Sequence, residues 1–330
     1  VSDDVVVRPL APADALGVSV CLARCYGDTY PKPFMYDAGA LAALVRSGEY
    51  GGVVALAGAD VVGHIGFGRP AVASTVAEAG TTIVDPDHRG AGLMGRMGQA
   101  LGEALKSARI AGFIHFPTTA HPVMQRASLG AGGRETGIML AYLPPEARDR
   151  AIGGPPGGRI AVTVVYQPVL EAPAQSIHLP GRYADLISGL AGSLALDRGV
   201  AGPARPPAGE SRLTRARDAS RGLERISLER IGADLVDRLP ALSDGVRLAH
   251  VDLPMSDPAI DHAVELLTQR SFAFAAWLPG WAGHDVLRLQ RVVGATDAEL
   301  SPSLHSPEAR HLLSMISREL GGPSGRSPGS

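Results

Sequence analysis

Residues 78–105, EAGTTIVDPDHRGAGLMGRMGQALGEAL, limit what this chain can fold into more than any other stretch. Thr81, Ile83 and Val84 form a β-rich run that ends at Asp85 and Pro86, a strand-then-turn signal. Leu93, Met97, Ala100, Leu101, Ala104 and Leu105 then recur at three- and four-residue spacing, the buried stripe of an amphipathic helix. The glycines between them therefore join a strand to a helix, which points to an α/β fold. At such a junction the first helical N–H groups lack partners and face outward at the positive end of the helix dipole. Gly90 and Gly92 let the backbone turn sharply and approach an anion, with Arg89 and Arg96 as added charge. The competing reading is a turn with glycine in a left-handed conformation and solvent-facing arginines. No Gly-Lys-Ser/Thr follows, and the dinucleotide fingerprint does not fit this spacing.

The segment VDPDHRGAGLMGRM resembles the acyl-CoA pyrophosphate loop of the GNAT N-acetyltransferases, whose pattern is Arg/Gln-x-x-Gly-x-Gly/Ala after the fourth strand. In that register Arg89 takes the first position and Gly92 the middle glycine, while Met94 stands where glycine or alanine is usual. The resemblance implies that acetyl-CoA or another acyl-CoA is the cofactor. Its pyrophosphate would rest on the amides of Arg89, Gly90, Ala91, Gly92, Leu93, Met94 and Gly95, with the Met94 side chain turned away. Ile83 and Val84 would flank the pantetheine arm, with the carbonyl or amide of Val84 pairing with it. The helix opened by HPVMQR would lie beside the cofactor, so that Arg126 either touches a phosphate or lies in solvent.

The order of patterns agrees with that family over roughly residues 5 to 144. VVVR reads as a strand, Pro12 to Cys25 and Asp37 to Val45 as helices, and GGVVALAGADVVGHIGFG as a hairpin turning at Gly58 to Asp60. The glycine loop and its helix follow, then GFIHF and TGIMLAYL as strands. DRAIGGPPGGR is rich in glycine and proline without periodicity and reads as a linker. Beyond it, HPVMQRASLGAGGRETGIMLAYLP finds an echo in DPAIDHAVELLTQRSFAFAAWLPG: a proline turn, a helix, a polar break, and a strand ending in aromatic-Leu-Pro. The expected architecture is a GNAT-like mixed β-sheet flanked by helices (1–148), a linker (149–160), a second, smaller, degenerate GNAT-like α/β domain (161–297), and a tail with one helix (298–330). The second part has no counterpart to RGAG, which argues against a second cofactor site. Its role is packing and homodimer formation, or closing the substrate cleft.

Composition narrows the partners. At 330 residues the chain has room for two domains, and a net charge of −2 gives no basic excess for nucleic acid. The start lacks the order of a secretion signal and no apolar run is long enough to span a bilayer, so a cytoplasmic protein is expected. Cys21 and Cys25 are too few for a zinc site or a disulfide framework and read as free thiols, with no metal expected.

Amide formation from a thioester needs a group to deprotonate the acceptor amine and a means of stabilising the thiolate. His115 interrupts GFIHF and is the first choice as base, Glu78 the second, and His64, mid-strand in VVGHIGF, the third. Each histidine reads equally as a satisfied, partly buried side chain, and Glu78 as a solvated strand-end charge. In the family a tyrosine after the fifth strand protonates the thiolate. Here Ser128 falls at its place, so either Tyr142 or His121 takes the role, or the thiolate leaves unassisted near Arg126 or the helix terminus. CYGDTYPKPFMYD concentrates Tyr26, Tyr30, Phe34 and Tyr36, either as a wall of the acceptor pocket or as a packed loop. The function expected is transfer of an acetyl or other small acyl group to a primary amine of a small molecule or peptide. The alternatives are a non-catalytic acyl-CoA-binding regulatory module, and an acyltransferase fed by a carrier-protein thioester.

Overall fold

In the computed structural model, residues 5–147, 158–239 and 242–321 are described. Strand β1 (Val5–Pro9) leads into helices α1 (Ala15–Tyr26) and α2 (Ala38–Ser47). A meander follows, β2 (Tyr50–Ala57), β3 (Asp60–Gly68) and β4 (Val76–Val84), then α3 (Leu93–Ser107), β5 (Gly112–His115), α4 (Val123–Gly130), β6 (Arg134–Leu143) and β7 (Ile160–Pro168). The remainder comprises β8 (Gln175–Ile177), α5 (Ala184–Ser193), β9 (Arg198–Val200), β10 (Arg212–Asp218), β11 (Leu223–Arg230), α6 (Leu235–Arg238) and β12 (Leu248–Pro254). It ends with α7 (Ile260–Thr268), β13 (Ala273–Leu278), β14 (Val286–Val292), α8 (Asp297–Leu300) and α9 (Pro307–Glu319).

Local chemistry sets these limits. Asp37 accepts from the Ala40 amide at 3.0 Å to open α2, and Gly48 closes it in the left-handed conformation that glycine adopts without strain. Helix α3 buries Leu93, Met97, Leu101 and Leu105 on one face, each contributing about 2 kcal/mol. Ser306 caps α9 by accepting from Ala309 at 2.9 Å, with Pro307 at the first helical position.

Over its first part the chain forms the expected mixed sheet flanked by helices. The second α/β region builds no large sheet of its own. Twelve strands join in one sheet of order β1-β2-β3-β4-β5-β7-β6-β13-β14-β12-β11-β10, with β8 and β9 apart as a pair. The second region shares the sheet of the first, and two places show how. Strand β7, which the expected limits put in the second part, lies antiparallel between β5 and β6. At the seam, β6 meets β13 with Gly137 opposite Ala276, and the Gln290 side chain on β14 donates to the carbonyls of Ile138 and Phe274 and accepts from the Leu140 amide. One continuous apolar core contains Ile114, Ile138 and Tyr166 together with Leu248, Phe274 and Leu287. Most of the expected linker, residues 149–157, and the terminal GPSGRSPGS segment lie outside the described residues.

Outward from the seam, the pairings run the same way on both sides. β6–β7, β7–β5 and β4–β3 are antiparallel and β5–β4 is parallel. β13–β14, β14–β12 and β11–β10 are antiparallel and β12–β11 is parallel. Helices α4 and α7, the two members of the sequence echo, occupy matching places before β6 and β13.

Candidate active site

The parallel pair β4–β5 holds together only over Val76–Glu78 against Gly112–Ile114. Beyond Glu78 the two strands diverge. A bulge helps to open them: Gly66 faces Gly80 and His64 faces Ile83 across β3, so the register slips around Thr81, which sits at φ 55°. The wedge leads into a cavity of about 460 Å³, ordinary for a small-molecule site. Along its walls stand the glycine loop, the aromatic loop after α1, the ends of β4 and β5, and one residue of the second region, Arg221.

At the loop end, Gly90 and Gly92 adopt φ of 80° and 70°, and the first α-helical bond of α3 is donated by Arg96 to Gly92. The amides from Gly90 to Gly95 precede that bond. A Cβ built on Gly90, Gly92 or Gly95 would meet no atom within 4 Å, and Gly90, Gly92, Leu93 and Met94 line the open cavity. An open cradle of amides at the positive end of a fifteen-residue helix fits a pyrophosphate. Met94, expected to turn away, lies on the cavity wall. The arginines serve the protein itself. Arg89 donates from Nε to the Val84 carbonyl at 3.1 Å, and Arg96 donates to the Val5 carbonyl at 2.6 Å. The Cys25 thiol also donates to Val84 O, so that carbonyl is already occupied. Ile83 is buried against α1, whereas Arg126 is exposed and off the cavity wall.

His115 and Glu78 both line the cavity; His64 does not. His64 is fully buried, donating from Nδ1 to the Val53 carbonyl and accepting from the Tyr50 hydroxyl at Nε2, both at 2.9 Å. Its place on the list of bases is therefore withdrawn: both ring nitrogens are spent in the core, and burial pushes its pKa down to about 4. Nε2 of His115 is buried without a hydrogen-bond partner among the described residues, and burial likewise takes its pKa to about 4. Glu78 forms an ion pair with Lys32 at 3.1 Å. Burial raises the Glu78 carboxyl, but Lys32, with Arg225 and Arg221 beyond, outweighs burial and holds it below the usual carboxylate range.

The aromatic loop divides its residues. Tyr26 and Tyr30 line the cavity, and the Tyr30 hydroxyl donates to Thr81 Oγ1 at 3.0 Å, bracing the bulge. Phe34 packs on Tyr50 instead. Ser128 is buried and returns its hydroxyl to the Met124 carbonyl, whereas Tyr142 and His121 line the cavity. Sequence reasoning missed two residues. Lys32 stood inside the aromatic segment, its charge between two prolines the available signal. Arg221, on the β10–β11 turn, gave none. Its guanidinium carbon lies 5.2 Å from the Tyr142 ring centre. Among the described residues no three His, Cys, Asp or Glu side chains gather as a metal site would require, and no helix is long and apolar enough to cross a membrane.

Residues 18–127 match the family described as Acetyltransferase (GNAT) family. No curated protein matches the chain. Among solved structures, the ribosomal-protein-S18-alanine N-acetyltransferase from Escherichia coli aligns at 14% identity over 51% of this chain and 96% of its own, with a TM-score of 0.40. A GNAT superfamily phosphinothricin acetyltransferase from Sinorhizobium meliloti, in complex with AcCoA, aligns at 19% identity over 51% of this chain and 90% of its own, with a TM-score of 0.41.

Proposed function

We propose that this chain is an acyl-CoA-dependent N-acyltransferase that transfers an acetyl or other small acyl group to a primary amine of a small molecule or peptide. One observation carries the reading: a single cavity runs from the open amide cradle before α3 along the diverging edge of β4 to Glu78 and His115. The family match over 18–127, which spans that whole wedge, supports it. Bound there, acyl-CoA supplies an activated acyl carbon.

The residues divide the remaining work. The amides of Gly90 to Gly95 hold the pyrophosphate, and the free backbone edge of β4 pairs with the arm, as an added strand would. Glu78, kept anionic by Lys32, draws the alkylammonium of the acceptor into the wedge, where it must give one proton to water before its nitrogen can attack. His115 is neutral at pH 7 and offers an unpartnered Nε2 to the amine proton, which becomes acidic as nitrogen bonds to the acyl carbon. The Tyr142 hydroxyl stands on the cavity wall as donor to the departing thiolate. The second region, in this reading, is a degenerate GNAT-like half that shuts one wall of the cavity.

A non-catalytic acyl-CoA-binding module is the second reading, favoured by the weak basicity that burial gives His115 and by the ion pair that occupies Glu78. Titration calorimetry with CoA and acetyl-CoA, followed by thiol release across a panel of primary amines, separates the two. Binding with turnover is the expected result. Binding without turnover on every amine would establish the module, and absence of binding would overturn both.

A further inference from the structure

The end of the cavity away from the glycine loop holds more positive than negative charge. Lys32 is matched by Glu78, and Arg221 donates from Nη1 to Asp218. Arg225, on β11 and off the cavity wall but close enough to lower the Glu78 carboxyl, has no ion-pair partner among the described residues, and its Nε is buried without a hydrogen bond. The neighbouring pair Arg288–Asp252 closes on itself through bonds of 2.6 and 2.7 Å and offers no counter-charge. His250, opposite Arg225 on β12, is fully buried and kept neutral by burial and by Arg288, Arg225 and Arg221. Among the described residues nothing at this end balances the surplus.

Arg221 is oriented to use it. With Nη1 on Asp218 and the ring of Tyr142 beneath the guanidinium, the Nε–Nη2 edge carries no partner among the described residues, and its Nε is already out of water. A planar donor edge with its Nε out of water matches a carboxylate two bonds at a time. The pyrophosphate is not a rival for it. Glu78, which feels both arginines, lies six strand positions before Val84, roughly 20 Å along β4 at about 3.3 Å per residue, and the cradle lies beyond Val84.

We infer that Arg221, backed by Arg225, recognises a carboxylate on the reactant that fills this end of the cavity, so that the acceptor is a carboxylate-bearing amine or the acyl group is a dicarboxylic one. The inference rests on the acyl-transfer reading and names the substrate class of that site. Arg221 sets specificity; it takes no part in proton transfer.

The test is calorimetric, on the full chain. CoA-loaded protein is titrated with ω-amino acids from β-alanine to 6-aminohexanoate and with the matched alkylamines, and the unloaded protein with succinyl-CoA and butyryl-CoA. In at least one series the carboxylate member binds tenfold or more tightly. A preference among the amines places the carboxylate on the acceptor, and one among the thioesters places it on the acyl chain. Arg221→Met and Arg225→Met bring the ratio toward one without changing affinity for CoA, and Arg221→Lys restores part of it. Circular dichroism checks that each variant folds, and Arg225→Met alone suffices if Arg221→Met does not. Ratios near one in both series, no binding of any carboxylate member in either series, or a preference that survives in every folded variant would overturn the inference. Failure to bind CoA would fall on the acyl-transfer reading first and take this one with it.

Discussion

The two parallel strand pairs of the sheet, β4–β5 and β11–β12, have the same neighbours and opposite fates. The first pairs over three residues and then opens; the second pairs over five, Leu223–Ser227 with Leu248–Asp252. Between β4 and β5 runs a glycine loop and a fifteen-residue helix, whereas between β11 and β12 the short α6 has four residues. A four-residue helix presents almost no aligned dipole and no cradle of amides. Along the paired stretch of β12 the protein's own side chains meet one another: His250 stacks on Tyr142 at 5.9 Å, and Arg288 pairs with Asp252. The same strand order thus leaves an open cleft on one side of the seam and a wall closed by the protein's own side chains on the other. A cleft follows from what is left unpaired.

The seam that joins the halves is the place to break this comparison hardest. A Cβ on Gly137 would lie 2.1 Å from the Ala275 carbonyl oxygen and 2.4 Å from the Ala276 Cα, both backbone atoms that cannot step aside. Gly137→Val should cost about 4 kcal/mol or more by forcing β6 and β13 apart. Both tryptophans, Trp277 and Trp281, lie in or just after β13, so their fluorescence reports the second half. In the parent protein, denaturation followed by fluorescence and by circular dichroism should coincide; in Gly137→Val the fluorescence transition should come first. Coincident and unshifted curves would show that the halves do not depend on one another.

The two histidines on the corresponding strands give the next contrast, because only His115 reaches the cavity floor from its strand end. His115→Ala should lower turnover roughly a hundredfold while leaving CoA affinity nearly unchanged. With its pKa held near 4, the imidazole is neutral through the neutral range, so turnover normalised to the fraction of acceptor present as free amine should stay level down to about pH 5 and fall as pH approaches 4. An acid limb near pH 6.5, or full turnover in the variant, would return the role to Glu78.

A smaller effect tests the cradle. Gly92 at φ 70° cannot accept a β-branched residue without moving, at a cost of about 2 kcal/mol, which corresponds to a loss of CoA affinity of roughly thirtyfold in Gly92→Val. Ala233→Ser, in the exposed turn before α6, should leave CoA affinity as it was. Equal affinities for both variants would remove the distinction between the two loops.

Which of these features the amino-acid order revealed follows from how local each one is. Strand, glycines and helical stripe fall within one short stretch, so the loop was legible. So was the echo between α4–β6 and α7–β13, because each copy is contiguous. His64 and His115 look alike in sequence, each a polar residue in an apolar strand. What separates them is the neighbour across the sheet: Tyr50 and Val53 close over His64, while the divergence of β4 and β5 leaves His115 Nε2 without a partner. The insertion of β7 between β5 and β6 was hidden for a related reason, since strand order in space does not follow order in the chain. Arg221 reaches the cavity only because the sheet continues through the seam, and no local pattern marks a residue placed by a distant pairing.

The least effect, and the sharpest on the closed half, belongs to His250. Both its ring nitrogens are buried without hydrogen bonds, and burial, together with Arg288, Arg225 and Arg221, sets its pKa well below the ordinary histidine value. The folded protein therefore refuses a proton that the unfolded chain accepts. Stability from this residue is fully present above about pH 6.5 and is lost as pH falls toward the folded value, at about 1.4 kcal/mol per pH unit. His64, depressed to about 4 by burial, loses stability over the same window. His250→Phe keeps a flat ring on Tyr142 and removes the titration. Urea unfolding between pH 7 and 5 should then show a slope shallower by about 1 kcal/mol per pH unit than in the parent, with CoA affinity at pH 7 unchanged. An unaltered slope would mean that His250 takes up its proton in the folded state. The closed half would then hold a cation where the stacked Tyr142 and the neighbouring arginines leave room only for a neutral ring.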